Sequence, residues 1–357
     1  MAYTTIDDPT QHFDILTRSG VYDSSGTYDL TGLNFQPDFV WEKVRSVSGD
    51  HYLQNSSLTG KKMLKSNSSA DENTDGNIES YLSNGIQINR QYDWNSSRTL
   101  VDWFWKANGG TTSSNTDGSI TSTVQANTTA GFSILTYSAN ATAGATVGHG
   151  LGTTPSVVIL KKRSGTGDGN WMVGHKAYVG NAAENVALDG TGVPVAADDT
   201  AGSTWNRTAF TSTVFTLGDG QAGDWTGRTN RSGYTMVAYC FAEIKGYSKF
   251  GSYTGNGSTD GVFIYTGFKP AWVMFKRTTQ TESWVIADNK RDTDNPVGNF
   301  LLADSNAAEG SGVVYDFLSN GIKIRDASQN ESSATYIYFA FAEHPFVSSK
   351  GVPVTAR

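Results

Sequence analysis

The sequence predicts an all-β protein built from three tandem antiparallel β-sandwich repeats of the jelly-roll or concanavalin A-like kind. Three observations carry this expectation. Hydrophobic residues make up only 37% and charged residues 17% of the 357 positions, while Gly, Ser, Thr and Asn are abundant and there are nine Trp and sixteen Tyr. Aromatic side chains fill sandwich cores and the small polar residues serve turns. A set of sequence landmarks recurs three times in one order, and no stretch carries the 3.6-residue apolar stripe of a helix. At roughly 100 to 150 residues per domain, the length accommodates two or three sandwiches, each with a modest core.

The first landmark is a Pro followed by an apolar run that ends in basic residues: Pro37 to Arg45, Pro155 to Arg163 and Pro270 to Arg277, with the prolines 118 and 115 residues apart. A polar loop and an aromatic-led strand come next, at His51, Trp171 and Trp284. Further on, Leu82 to Ile88 and Leu318 to Ile324 share the string Leu-Ser-Asn-Gly-Ile-x-Ile, and the middle copy has the looser Phe210 to Leu217. Asn-Gly between alternating apolar residues is a strong hairpin signal. Each copy closes on an aromatic alternating strand, Leu100 to Trp105, Met236 to Phe241 and Ile337 to Phe341. A period of two puts Trp103 with Trp105, Tyr239 with Phe241 and Phe339 with Phe341 on one face each, the core face. The small or polar residues between them take the other.

Composition sets the expected boundaries: an N-terminal arm at 1–16, repeat 1 at 17–109, a linker at 110–130, repeat 2 at 131–246, repeat 3 at 247–346 and a tail at 347–357. Gly109 to Ala130 is rich in Gly, Ser, Thr and Asn, which reads as a linker. The second boundary is tight, because Ala242 to Tyr247 runs straight into the next strand and glycine turn, so repeats 2 and 3 are expected to pack with fixed geometry.

Charge and motif content narrow the function. A net charge of -7 argues against a nucleic-acid binder, which needs a basic surface to displace counterions. No apolar stretch approaches the roughly 20 residues that span a bilayer, and the N-terminus lacks the basic start and apolar run of a signal peptide, so no membrane insertion is expected. Cys240 is the single cysteine, and the five histidines form no HExxH pair. Nine Asn-x-Ser/Thr sequons read as turn sequences in a chain of this composition. A sandwich glycanase needs two carboxylates facing each other across the sugar. Glu72, Asp75 and Glu79 have the wrong period for one strand face and read as a solvated loop, and there is no Gly-x-Ser-x-Gly, P-loop or dinucleotide pattern. No enzyme is expected.

Three sets of residues are candidate sites. Asp288, Asp292, Asp294 and Asn295 form an oxygen-rich loop of the type that binds calcium, although Lys290 and Arg291 compete for the same carboxylates. Otherwise no cofactor is expected. Trp94, Trp205 and Trp225 lie in polar surroundings and suit stacking on sugar rings, the alternative being burial at a sandwich edge. The arm, with Tyr3, Ile6 and Phe13, is a candidate anchor.

Four stretches carry a family resemblance: Met1 to Pro9, Val147 to Pro155, Gly246 to Gly257, and Gly321 to Ala327 with Tyr336 to Phe346. They resemble uncharacterised structural proteins of marine tailed phages, described loosely as tail-fibre or concanavalin A-like. The resemblance implies a virion protein, and with it a homotrimer that has other virion proteins as partners; the missing signal peptide leads to the expectation of assembly in the host cytoplasm, and the candidate stacking tryptophans to host-surface glycan as a partner. Three repeats with variable polar loops favour a tail-fibre or peripheral appendage that contacts the host, because loops can change while the core pattern persists. The alternative is an architectural head-decoration or bridging protein with no receptor-binding role.

Overall fold

The computed structural model describes residues 3–167, 169–180, 183–196, 204–220 and 229–354. Among these, every element longer than three residues is a β-strand. The first segment contains β1 (Phe13–Ser19), β2 (Thr27–Thr31), β3 (Phe39–Val44), β4 (His51–Asn55), β5 (Ile78–Leu82), β6 (Gly85–Asn89) and β7 (Thr99–Trp105), followed by β8 (Ser113–Asn115) and β9 (Ser122–Asn127). The second contains β10 (Phe132–Ser138), β11 (Thr146–Gly148), β12 (Val157–Ser164), β13 (Met172–His175), β14 (Ala183–Ala187), β15 (Val195–Ala196), β16 (Val214–Thr216) and β17 (Thr235–Phe241). The third contains β18 (Ser248–Thr254), β19 (Phe263–Tyr265), β20 (Phe268–Arg277), β21 (Val285–Asp288), β22 (Val297–Leu302), β23 (Gly310–Leu318), β24 (Gly321–Ile324) and β25 (Thr335–Pro345).

One strand order recurs. The inner strips run β1-β7-β3-β4, β10-β17-β12-β13 and β18-β25-β20-β21, all antiparallel. The outer pairs are β2-β6, β11-β16 and β19-β24. Thus the Pro-led runs become β3, β12 and β20, and the aromatic closing strands lie centrally beside them. The registers agree as well: Phe39 faces Trp105, Val157 faces Phe241 and Trp272 faces Phe341.

The cores differ from expectation. One continuous buried cluster draws Trp41, Trp103 and Trp105 from the first segment, Trp171, Tyr239 and Phe241 from the second, and Trp272, Phe339 and Phe341 from the third. Two smaller clusters, around Phe104 and Ile86 and around Phe275 and Ile322, lie between the inner and outer strands of the first and third segments. The alternating aromatics therefore face the other segments: Phe39 and Tyr239 are 4.4 Å apart between ring centres, Trp105 and Phe341 5.6 Å, and Phe241 and Phe341 5.9 Å. Bulky rings on all three inner faces bury one another, and each large ring contributes on the order of 1.5 to 3 kcal/mol when fully buried. The opposite face of the closing strands is buried too, with Phe104, Ala238 and Ala340 at 0% exposure.

Residues 110–130 are corrected from linker to sheet. β8 pairs with β9 and β9 with β10, which extends the second sheet; Val124 in β9 and Ile120, bridged to Val147, bury their side chains. The expected arm is corrected as well. Phe13 opens β1 opposite Trp105 and is 2% exposed, Ile6 is 3% exposed, and the Tyr3 hydroxyl donates to Gly267 O at 2.9 Å. The residues expected to anchor a partner are held by the chain itself.

Candidate functional site

The outer strands of the third segment bring two exposed aromatics together on one strand, apart from the exposed Tyr22, Tyr28 and Tyr92 of the first segment. In β19 the pattern is exposed, buried, exposed: Ile264 faces inward at 5%, while Phe263 and Tyr265 stand outward at 45% and 54%. Tyr265 lies opposite Gly321 in β24, which lies opposite Leu318 in β23, itself 38% exposed. The next row is Phe263, Lys323 and Asp316. Residues directly opposite one another project to the same face, so two aromatics and a leucine share a face with charged groups. Gly321 is required by close approach, since a Cβ there would sit 2.2 Å from Ile264 O and 2.7 Å from Phe263 Cζ. The Phe263 ring consequently lies over the glycine and leaves a low platform.

Polar groups frame the platform. The Tyr3 and Tyr265 hydroxyls are 3.0 Å apart, and Lys245 Nζ stands 4.4 Å from the Tyr3 ring centre. On the other flank Asp260, 79% exposed at its side chain, pairs with Lys323 at 2.9 Å and Arg325 at 3.2 Å, and Arg325 pairs with Asp316 at 2.6 Å. The hydrogen bond from Lys323 holds the Asp260 carboxyl below its usual range. An aromatic face ringed by ionised donors and acceptors is suited to a ligand with C–H faces and hydroxyl edges.

The equivalent strand positions of the other two segments carry no aromatic residue. Where the third segment has Phe263 and Tyr265 flanking the buried Ile264, the first has Asp29 and Thr31 flanking Leu30, and the second has Thr146 and Gly148 flanking Val147. A position-by-position comparison of the three copies would have exposed this difference.

The residues singled out from the sequence lie elsewhere. Trp205 is corrected to a core residue: it is 0% exposed and meets Phe210 and Phe215 edge to face at 5.1 and 5.9 Å. Trp94 is half-buried, with its indole against Gly49, where a Cβ would lie 2.7 Å from Cζ2. Trp225 falls outside the described residues.

The proposed calcium ligands do not converge. Asp288 is buried and accepts from Trp103 Nε1 at 3.0 Å and Arg291 Nε at 2.6 Å. Asp292 caps the backbone N–H groups of Gly298 and Asn299 at 2.7 and 2.6 Å, Asn295 exchanges hydrogen bonds with the backbone of Phe317, and Asp294 is exposed. Neighbouring donors occupy the oxygens of Asp288, Asp292 and Asn295 that a cation would need. Among the described residues no group of three or more His, Cys, Asp or Glu side chains could hold a metal ion. Glu72 and Glu79 pair with cations, Arg163 at 2.8 Å and Lys61 at 3.0 Å.

A family model described as "Domain of unknown function (DUF7483)" matches residues 8–345, spanning all three segments as one unit. No curated protein matches the chain.

Proposed function

The chain belongs to the DUF7483 family, and from that premise we propose that it is a non-enzymatic structural protein of a tailed-phage particle that contacts host-surface glycan through the Phe263–Tyr265 platform. The observation that carries this reading is the pair of aromatics exposed side by side on a rigid strand pair. A soluble protein rarely leaves such a face open without a partner for it. Sugar rings offer apolar C–H faces that stack on aromatic rings, and the flanking Asp260, Lys323 and Arg325 supply hydrogen bonds to hydroxyls. The phage-protein resemblance of Gly246 to Gly257 and Gly321 to Ala327 brackets the same strands.

The test uses the purified chain as a competitor of phage adsorption and as a ligand on an array of bacterial surface glycans. The wild type is expected to bind a glycan and slow adsorption, and the Phe263→Ser, Tyr265→Ser double variant is expected to do neither. Equal activity of the two proteins would remove the platform from the reading. If neither protein binds a glycan or slows adsorption, the chain is an architectural bridging or head-decoration component.

A further inference from the structure

Three buried lysines occupy one equivalent position. Lys43 faces Val101, Lys161 faces Val237 and Lys276 faces Ile337 across the same strand pair, and all three are 0% exposed. Each ammonium donates to one carbonyl of its own following loop and to one carbonyl of a different segment. Lys43 reaches Gly49 O at 2.8 Å and Asn306 O at 3.4 Å. Lys161 reaches Gly169 O, and Ser69 O at 2.8 Å. Lys276 reaches Glu282 O, and Thr191 O at 2.8 Å.

The backbone repeats the pattern: Gly49 N donates to Asn306 O at 2.8 Å, Gly169 N to Ser69 O at 3.3 Å and Glu282 N to Thr191 O at 2.9 Å. So do the ring nitrogens at the landmark aromatic position. His51 Nε2 is 2.9 Å from Leu302 O, Trp171 Nε1 donates to Lys65 O at 2.8 Å, and Trp284 Nε1 to Ala187 O at 2.8 Å. In all three sets the first segment docks on the third, the second on the first and the third on the second. A head-to-tail interface that repeats and returns to its start is the signature of a closed cyclic assembly. The inner aromatic faces meet at its centre.

We infer that this chain is a fused trimer, a threefold ring complete in one copy. The threefold arrangement that a fibre builds from three chains is here built from three segments of one, and the interface that would recruit further copies is consumed internally. The segments before β1 and after β25 meet where the ring closes, with Ser349 N donating to Asp7 Oδ1 at 2.6 Å.

Two experiments test it on the full chain. Light scattering at micromolar concentration is expected to give a monomer of 38.4 kDa; a stable oligomer would overturn the inference, because the ring would then be incomplete without further copies. A circular permutant with residues 357 and 1 joined by a short Gly-Ser linker, and the chain opened between the exposed Thr112 and Ser113, is expected to keep the monomeric mass and the wild-type near-ultraviolet circular dichroism. A permutant that stays soluble but has lost that spectrum would show that the order of segments along the chain, rather than ring closure, sets the fold.

Discussion

Trp41 Nε1 donates to Nδ1 of His51 at 2.8 Å, which fixes His51 as the neutral tautomer that carries its proton on Nε2 and donates it to Leu302 O at 2.9 Å. One imidazole thus ties a core indole of the first segment to the backbone of the third. Burial pushes its pKa down to about 3, with nearby Lys43 adding to the effect, and burial likewise takes His175 to about 3.

Acid should loosen this joint first. The folded pKa of each histidine lies below its unfolded value of about 6.5, so the unfolded chain binds more protons in between, and stability is lost as pH falls from about 6.5 towards 3, at up to about 1.4 kcal/mol per pH unit per histidine. Denaturant midpoints measured across that range should fall less steeply for His51→Gln than for the wild type. Equal slopes would mean that His51 is not buried in the neutral form.

Lysine burial acts at the alkaline side. Burial lowers Lys43 and Lys276 from 10.5 to about 8. With folded values below unfolded ones, the unfolded chain again binds more protons, so their contribution to stability rises as pH increases from about 8 to 10. Above 10 the buried tyrosines, including Tyr137, Tyr178 and Tyr315, whose burial raises their pKa, reverse the trend. Lys276→Met should cost about 1 to 3 kcal/mol, because Glu282 O loses the ammonium donor and Thr191 O keeps only the Glu282 N–H, and should flatten the rise between pH 8 and 10 in chemical denaturation.

Arg18 has three carboxylates on one guanidinium, Glu42 at 2.5 Å, Asp93 at 2.7 Å and Asp102 at 2.9 Å, all within the first segment's interior. Burial raises the carboxyls of Glu42 and Asp102 in spite of the arginine. Removing the cation they share should be severe: Arg18→Met is expected to lose about 3 to 5 kcal/mol at neutral pH, and part of that should return as the pH is lowered and Glu42 and Asp102, whose carboxyls burial already raises, take up protons. A loss below 1 kcal/mol in urea titration would contradict the buried charge arrangement.

Platform substitutions should separate binding from folding. Phe263→Ser removes a half-exposed ring that covers Gly321 across the strand pair, so stability should fall by no more than about 1 kcal/mol, while retention on a glycan that binds the wild type should drop at least tenfold. A large fall in melting temperature would mark Phe263 as a structural residue.

Much of the fold was legible because its signals are local. The Pro-led runs, the aromatic closing strands and the Asn-Gly hairpins each specify a strand or turn through alternation and turn chemistry, and they became β3, β12, β20, β7, β17, β25 and the turns before β6 and β24. Residues 110–130 escaped because one large apolar residue, Val124, suffices for a strand when neighbouring strands on both sides supply the hydrogen bonds. Trp205 escaped for the converse reason, since polar neighbours in sequence say nothing of the Phe210 and Phe215 rings that enclose it.

The sequence by itself determined that the chain is all-β, that its strands follow one order three times, and that its closing strands carry aromatics at alternate positions. Tertiary structure alone decided where those aromatics point. Alternation assigns a side chain to a face but cannot say what covers that face, and here the cover is the other two segments. It also decided that Lys43, Lys161 and Lys276 are buried donors, because the carbonyls that receive them, Asn306, Ser69 and Thr191, lie 263, 92 and 85 residues away. No local pattern encodes a partner at that distance.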